Sequence, residues 1–403
     1  MGSWPLTRSD PGRLPASCRM LGSHRGGVNL DHQLKWWQKP ALKADLLLLL
    51  AATKTAEHPG ISAAGCTAAS RRLTALADAE LLQRGPAVRR RWSLPALPAG
   101  VSPALISHVV VKRLGLNPLV AAIGLPLSPD FMHMRLEPPG EGPAACLSDG
   151  HAMTRQRVIR LWRQGERLGR RLRRPLVLAE CVPGGTTTAQ AVLSALGLKV
   201  SGLVSGSARQ PPQALKSSLV EAGLVRAALG SSPSSQAVLA AVGDPFQAVA
   251  AGLLVGAARS DQPVLLGGGS QMIAVAALAL MALPVQEREN LAKRLIIGTT
   301  AWLAQEDHHD GAGSMLGRLV DAACEHCGVP LTVLACGVHF DASRHQPLRD
   351  YELGFVKEGV GAGALLLFAQ LQGASTEELV VGCDRAMDAL LAAPVTAPVT
   401  SPA

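Results

Sequence analysis

Short apolar runs alternate with longer Ala- and Leu-rich segments along this chain, and the alternation predicts strands followed by helices. Strands are predicted over residues 45–50, 117–123, 175–178, 262–266, 294–298 and 331–335. Helices are predicted over residues 71–82, 102–114, 154–173, 189–196, 210–230, 245–258 and 364–371. After a polar residue at or near the start of most of them, the strand runs are continuously apolar, which is typical of parallel strands buried on both faces. The pattern therefore predicts an α/β fold.

Glycine-rich turns recur where these elements meet. The strand over 175–178 leads through Glu180 into a turn and helix start with Gly184, Gly185, Thr186, Thr187 and Thr188. The strand over 262–266 leads into Gly267, Gly268, Gly269 and Ser270, and the helix over 364–371 is preceded by Gly359, Gly361 and Gly363. In an open parallel sheet such turns gather at the carboxyl edge, where ligands bind.

The turn at 184–188 is suited to binding an anion. A strand that breaks at glycines and restarts as a helix leaves several backbone N–H groups pointing at one spot, and the helix dipole adds positive potential there. The three threonines offer an N-cap and further hydroxyl donors. We therefore treat 184–188, 267–270, 359 and 361 as candidate phosphate- or substrate-binding residues. A tight strand–helix turn with a threonine cap and no ligand fits the local pattern equally well.

Two glutamates accompany these turns and are the candidate catalytic residues. Glu180 stands at the end of the strand before the first turn, and Glu358 directly precedes Gly359. Burial can raise the pKa of such a carboxylate toward neutrality and allow it to act as a general base. Each could instead be a capping or surface glutamate, as we expect for Asp244 before Pro245. The matching contexts of the two glutamates favour a catalytic role.

Composition narrows the class of protein. The chain has 403 residues, of which 48% are apolar and 17% charged, which excludes general disorder and permits a large core. A net charge of +9 first suggests nucleic acid, but aromatic residues make up only 3% and no nucleic-acid module is recognised. We interpret the arginines of 155–174 as a solvated basic helix. No segment reaches the ~18 apolar residues of a membrane span, so neither nucleic acid nor a membrane is an expected partner.

Eight cysteines are scattered without a disulfide or zinc framework. Cys324 and Cys327 form a lone CxxC, which we interpret as free thiols at a helix end in a reducing cytoplasm. Cys336 and His339 could be imagined as metal ligands because they are close in sequence. The pair at 308–309 is adjacent, and adjacent residues of regular structure face different ways. The sequence predicts no metal site, and the thiols together with the lack of a signal peptide predict a cytoplasmic location.

Three segments are expected to lie outside the regular elements. Residues 1–43 mix Pro, Gly, Arg and His with three tryptophans and show no clear periodicity, so they are predicted to form a poorly ordered extension. Residues 126–150 are rich in Pro and Gly and are predicted to form a long loop. Residues 394–403 are predicted to be a disordered tail.

Several motifs occur in an order that resembles a known family. They are TAEHPGISAAG at 55–65, RRLTALADAE at 71–80, ECVPGGTTTA at 180–189, VGDPFQAVAAG at 242–252, QPVLLGGGSQM at 262–272 and FVKEGVGAGA at 355–364. Together these motifs resemble a branch related to nicotinate-nucleotide–dimethylbenzimidazole phosphoribosyltransferase, the cobalamin lower-ligand enzyme. The resemblance spans roughly residues 44–390, nearly everything but the two tails.

The resemblance implies a reaction and a place for each candidate residue. The phosphoribosyl group of nicotinate mononucleotide is transferred to an azole base, such as a benzimidazole or adenine, giving an α-riboside phosphate for the cobamide lower ligand and free nicotinate. Glu358 is implied to be the catalytic base, and Glu180 is implied to support it beside the phosphate loop at 184–188.

The resemblance also implies the architecture. A Rossmann-like parallel sheet flanked by helices is expected within residues 44–393, with its large core at about 100–350. A small helical domain is expected from both chain ends. A cytoplasmic homodimer without a cofactor or metal is implied as well.

The chain departs from the family pattern at two places. Its loop has Pro-Gly-Gly-Thr-Thr-Thr where the family has Gly-Ile-Gly-Asn-Thr-Thr, so the expected Asn is missing. Lys357 stands where the family has glycine before the catalytic glutamate. If Lys357 pairs with Glu358 it lowers the pKa of that base and weakens it, and if it faces away nothing changes. A non-catalytic or differently specific protein that binds a phosphorylated nucleotide or sugar on the same scaffold is the alternative function.

Overall fold

The computed structural model describes residues 12–23, 29–307 and 313–394, which form one eight-stranded sheet and fifteen α-helices. The strands are β1 (Arg19–Met20), β2 (Asp45–Ala51), β3 (Pro118–Ile123), β4 (Met134–Arg135), β5 (Leu176–Cys181), β6 (Val264–Gly267), β7 (Leu295–Thr299) and β8 (Thr332–Ala335). The helices are α1 (Leu30–Trp37), α2 (Ala68–Arg84), α3 (Ala104–Leu114), α4 (Arg155–Arg170), α5 (Gly185–Ala195), α6 (Gln213–Ala227), α7 (Ser235–Val242), α8 (Pro245–Ala257), α9 (Ser270–Ala282), α10 (Val285–Ala292), α11 (Ala301–Gln305), α12 (Met315–Cys327), α13 (Gln346–Arg349), α14 (Ala362–Leu371) and α15 (Thr376–Ala392).

The strands are ordered β1-β8-β7-β6-β5-β2-β3-β4, and every pairing is parallel except the antiparallel pairing of β1 with β8. The predicted α/β fold with a parallel sheet flanked by helices is confirmed. The chain runs outward from β2 to β3 and β4 and then returns to place β5 on the other side of β2. This reversal puts a switch point between β2 and β5, where a crevice opens at the carboxyl ends of the strands.

The continuous apolar runs exist because both faces of the sheet are covered. In β2, Leu47 and Leu49 face one core cluster, whereas Leu46, Leu48 and Leu50 face the other. Side chains of a strand point alternately to opposite faces, so a strand buried on both sides has no polar positions to alternate with. One face is covered by α4–α9 and α12, and the other by α1–α3, α14 and α15.

Two helices on the first face approach each other through glycines. A Cβ placed on Gly165 of α4 would lie 2.1 Å from the Val249 carbonyl oxygen, and one on Gly169 would lie 2.0 Å from that of Leu253. On the α8 side, Gly252 and Gly256 make equally close backbone contacts. The basic helix predicted over 154–173 is therefore present as α4, and its glycine face anchors it to the core.

The predicted boundaries of the ordered chain need correction. Leu34 and Trp37 of α1 are fully buried, and β1 extends the sheet, so residues 12–23 and 29–43 belong to the fold. Their aperiodic composition misled the prediction because β1 is too short, and α1 too mixed in polarity, for a clear pattern. Residues 1–11 lie outside the described part, as do 395–403 of the predicted tail.

The predicted division into a core at 100–350 and a terminal helical domain also needs correction. The strand β2, at residues 45–51, lies in the middle of the sheet between β3 and β5. Helices from both chain ends do pack together, but as the layer that covers one face of that sheet. The predicted loop at 126–150 contains the short edge strand β4 and a 3₁₀ turn at Leu147–Asp149. None of the described helices is long and apolar enough to cross a membrane.

Candidate active site

A cleft opens at the carboxyl edge of the sheet, at the switch point between β2 and β5. Its walls surround about 1110 Å³ of space not occupied by atoms, open solvent included. Among the candidate site residues, it is lined by Glu180, Gly184, Gly185, Thr186, Gly269, Ser270, Glu358 and Gly359. The predicted gathering of the glycine-rich turns at one edge is thus what the structure has.

The turn between β5 and α5 presents the start of a helix to the cleft. Gly184 is the N-cap with a φ of 82°, a left-handed conformation that glycine adopts without strain. The Gly185 N–H donates to the Val182 carbonyl at 2.9 Å, and the Thr187 N–H donates to the Gly184 carbonyl at 2.9 Å. Thr186 lies between them at the positive end of the helix dipole. Two of the first N–H groups of α5 are therefore engaged within the turn, and the helix dipole is what favours negative charge at this end.

The three threonines do different things, and none of them caps the helix. Thr186 lines the cleft. Thr187 and Thr188 are fully buried behind it, and Thr188 Oγ1 donates to an Asp244 carboxylate oxygen at 2.6 Å. The expected cap at Asp244 is confirmed, because its side chain accepts from the Gln247 N–H at the start of α8. Thr187 and Thr188 support the turn rather than line the cleft.

The turn between β6 and α9 contributes a residue that the sequence analysis missed. Gln271, in the first turn of α9, donates from Nε2 to Glu180 Oε1 at 2.9 Å and lines the cleft. Its position directly after the Gly-Gly-Gly-Ser run was the available signal. Gly267 and Gly268 do not line the cleft. A Cβ on Gly267 would lie 2.7 Å from the Gly361 Cα, so these glycines allow two backbones to approach closely.

The segment that carries Glu358 crosses over the end of β5. The Val360 N–H donates to the Glu180 carbonyl at 3.0 Å. Val356, Lys357 and Val360 adopt positive φ values of 63°, 65° and 51°, which cost roughly 1–3 kcal/mol each for residues with a Cβ. Such strain persists where surrounding contacts hold it, and it is concentrated at functional sites.

The Glu358 carboxylate accepts four hydrogen bonds from two helix starts. Oε1 accepts from the N–H groups of Gly359 and Gly363, at 3.0 and 3.1 Å. Oε2 accepts from the Thr300 N–H at 3.0 Å and from the Thr299 hydroxyl at 3.2 Å. Burial raises the pKa of Glu358 to about 7, while these hydrogen bonds oppose the rise. A carboxylate of this kind exchanges protons near neutral pH.

Glu180 differs from Glu358 in having fewer donors. It is 5% exposed. Burial, followed by the negative charge of Asp244, raises the pKa of Glu180 to about 8. The negative charge of Glu358 makes a smaller contribution that also raises the pKa of Glu180. The ionised form of Glu358 accepts more hydrogen bonds than that of Glu180. Glu180 therefore stays protonated up to a higher pH than Glu358.

Lys357 turns away from its neighbour Glu358. Its Nζ lies 2.8 Å from Glu306 Oε1 and 3.3 Å from Ser205 Oγ. The left-handed backbone at Lys357 sends successive side chains to different sides of the segment. The sequence left two arrangements open for Lys357, pairing with Glu358 or facing away from it. The structure has the second, in which Lys357 pairs with Glu306 instead.

Three further walls of the cleft were not identified from the sequence. They are 61–64, parts of 95–103, and 205–207, together with Asp78 of α2. Arg71 shapes the first wall by donating to the carbonyls of Ala56 and Gly65 at 2.5 and 2.9 Å. Asp78 accepts from the Ser102 hydroxyl at 2.6 Å, and burial raises the pKa of Asp78 to about 6. Residues 61–64 and Asp78 lie within the 55–65 and 71–80 motifs, but these motifs do not show that segments from distant parts of the chain meet at one cleft.

Replacing Gly363 with alanine is expected to destabilise the site. A Cβ there would lie 2.2 Å from the Thr299 carbonyl carbon and 2.5 Å from Glu358 Oε2. Since most of this contact is with backbone, the free energy of unfolding should fall by about 1–3 kcal/mol, measured by urea denaturation. Gly230→Ala is the matched control, because its Cβ would meet nothing within 4 Å. Equal unfolding midpoints for the two variants would contradict the expectation.

Cys181 lines the cleft beside Glu180, whereas the other described cysteines and the described histidines do not line it. Cys324 and Cys327 are buried at the end of α12, the helix end where the sequence analysis placed them. His339 contacts Glu352 at 3.0 Å, and both have ligand-type atoms within 4.8 Å of Asp341. Glu352 also accepts from the Trp302 and Phe340 N–H groups, which engages its oxygens. The pair at 308–309 and Asp310 lie outside the described residues.

Comparison with known proteins shows similarity along nearly the whole chain. Residues 95–293 match the sequence model of a family described as phosphoribosyltransferase. A UPF0284 protein of Parasynechococcus marenigrum (strain WH8102) is 64% identical over 395 residues, covering 98% of this chain and 100% of that protein. A UPF0284 protein of Prochlorococcus marinus (strain MIT 9313) is 58% identical and covers 95% of each chain.

Two solved structures share the fold. CobT from Thermus thermophilus has a TM-score of 0.56 and 20% sequence identity, covering 86% of this chain and 87% of that one. A structure from the same organism described as nicotinate-nucleotide-dimethylbenzimidazole phosphoribosyltransferase has a TM-score of 0.54 at the same identity and coverage. At this identity the similarity establishes the fold alone.

Proposed function

Since the chain belongs to the UPF0284 family, a branch related to the phosphoribosyltransferases, we propose that it transfers the phosphoribosyl group of nicotinate mononucleotide to an azole base. The products are an α-riboside phosphate, as used for the lower ligand of a cobamide, and free nicotinate. The acceptor is a benzimidazole-like base or adenine.

The chemistry needs a base and a phosphate anchor. The azole N–H loses its proton to Glu358, while the other ring nitrogen forms a bond to C1′ of the ribose. The bond from C1′ to the nicotinate nitrogen breaks, and its electron pair neutralises the pyridinium. Attack from the opposite face inverts C1′. Holding the 5′-phosphate on the α5 N-terminus restricts C1′ to a position within reach.

The Glu358 carboxylate is the observation that carries the proposal. It lines the cleft, and burial raises its pKa to about 7, which suits a base at neutral pH. Of its four donors, the Thr299 hydroxyl is the most distant, and a hydroxyl can rotate away to free a lone pair. Glu180 supports the reaction as a mostly protonated neighbour, so that a second full negative charge does not oppose ionisation of Glu358.

Nicotinate release tests the proposed function directly. Purified protein is incubated with nicotinate mononucleotide and, in turn, benzimidazole, 5,6-dimethylbenzimidazole and adenine. We expect nicotinate and an α-riboside phosphate in equal amounts with at least one base, detected by chromatography and mass spectrometry. Absence of nicotinate with every base would reject the transferase proposal.

We also propose that the protein forms a homodimer, and this proposal rests on the family resemblance alone.

A further inference from the structure

A buried cluster of charges adjoins the cleft beside the segment that carries Glu358. It consists of Lys216, Lys357, Glu306 and Ser205. Lys357 is 3% exposed, and both Lys357 and Ser205 line the cleft. Lys216 is fully buried and donates to the carbonyls of Val204 and Ser205, at 2.9 and 2.7 Å. Lys216 thus fixes the backbone at 204–205, and Ser205 in turn contacts the Lys357 side chain.

The charges of this cluster do not balance. The cluster holds two lysines but one carboxylate. Glu306 accepts from Lys357 at 2.8 Å and from the Ser205 hydroxyl, whereas Lys216 is bound to carbonyl oxygens only. Burial and the charge of Lys357 lower the pKa of Lys216 to about 7 despite the presence of Glu306. A buried cation that is incompletely neutralised is stabilised by an added anion. The cluster is therefore arranged to receive negative charge.

The cluster lies next to the start of α5. A Cβ on Gly206, the residue after Ser205, would lie 3.9 Å from Thr186 Oγ1. The Val356 N–H donates to the Ser207 carbonyl at 2.9 Å, which ties the Lys357 segment to this same loop. Two of the three Lys357 N–H bonds are engaged by Glu306 and Ser205. An ammonium group has three N–H bonds, and Lys357 lines the cleft.

We infer that Lys357 is the cationic arm of the phosphate site and binds the phosphate of the donor together with the α5 N-terminus. The identity of that donor as a ribose 5-phosphate derivative rests on the proposed function. Lys357 and the Pro-Gly-Gly-Thr-Thr-Thr loop line the same cleft, so the ammonium group and the helix start can contact one phosphate. The strained backbone at 356–357 is what directs the ammonium to the Ser205 side.

The test uses ribose 5-phosphate and ribose as probes in titration calorimetry on the full chain. Lys357→Met combined with Glu306→Met removes both members of the buried ion pair together, and Lys216 keeps its two carbonyl acceptors. We expect this double variant to keep its melting temperature but to bind ribose 5-phosphate roughly 10–100-fold more weakly, with ribose binding unchanged. Lys293→Met is the control, because Lys293 is 67% exposed.

A second variant separates phosphate binding from a purely structural role. Glu306→Gln keeps an acceptor for Lys357 but removes a negative charge near the phosphate, so it should bind ribose 5-phosphate at least as tightly as the native chain. The inference is overturned if the double variant binds the probe normally, or if Glu306→Gln loses binding to the same extent. Neither probe requires turnover. A failure to release nicotinate would therefore reject the proposed function, but the binding of ribose 5-phosphate would still show whether Lys357 contacts the phosphate.

Discussion

Replacing Glu358 with glutamine will lower kcat for nicotinate release by about 10²–10⁴-fold, the usual contribution of a general base. The amide cannot accept the azole proton, although it has nearly the shape of the carboxyl group. Of the four donors around Glu358, those at Gly359 and Gly363 would face an NH₂ group in one orientation. The melting temperature must therefore be measured alongside kcat, so that loss of the base is separated from loss of the fold.

The pH dependence gives the matched control for this result. Glu358 must be ionised to act, so the native rate should fall as the pH drops through about 7. Thr299→Val removes one donor to the carboxylate, which favours its protonated form, and should move this midpoint to higher pH. A rate that depends on pH equally in the native chain and in Glu358→Gln would assign the proton transfer to another group.

Replacing Glu180 with glutamine will stabilise the protein at alkaline pH, by an amount on the order of 2–4 kcal/mol. Burial raises the pKa of Glu180 from 4.5 to about 8 in the folded state. Folding therefore favours the protonated form, and the native chain has its full stability only below about pH 4.5. That stability is lost as the pH rises toward 8, because the unfolded chain releases the proton more readily. Glutamine does not titrate, so its advantage grows over this range.

Urea denaturation at pH 5, 6.5, 8 and 9 measures this difference. Glu289→Gln is the control, since Glu289 is 66% exposed and should give a difference that does not change with pH. A constant difference between Glu180→Gln and the native chain across the range would show that Glu180 is ionised in the fold. In that case its role beside Glu358 would have to be revised.

The predicted elements were recovered well where the pattern is local. Residues 46–51 of β2, 176–179 of β5 and 264–267 of β6 are continuously apolar because both faces of the sheet are covered. The cap at Asp244 needs only its own helix. The predictions were wrong where the burial of a segment depends on its packing against distant parts of the chain. The helix α1 is short and contains Asp, His and Lys, yet Trp37 is fully buried, because the surface that receives it comes from α14 and the sheet.

The site residues also fall into those that a local pattern predicts and those that only contacts between distant segments bring to the cleft. Glycine turns after strands, and carboxylates beside them, follow from spacing, because the carboxyl ends of parallel strands share one edge. Asp78 has no such turn beside it, and the glycine run before Gln271 indicates a turn but not a contact with Glu180. Each becomes a cleft residue only when Glu180 or Ser102 is brought within hydrogen-bonding distance from elsewhere in the chain.

Local patterns were thus sufficient for the α/β class, the strand–turn–helix units and the two glutamates, because periodicity and turn chemistry act over a few residues. The order of the strands, the central place of β2 and the partners of each charged group depended on contacts between distant segments. Lys357 is the clearest case, because its neighbour in sequence is Glu358 but its partner in space is Glu306. A left-handed backbone held by the 205–207 loop makes that choice, and no short stretch of sequence contains both parts of it.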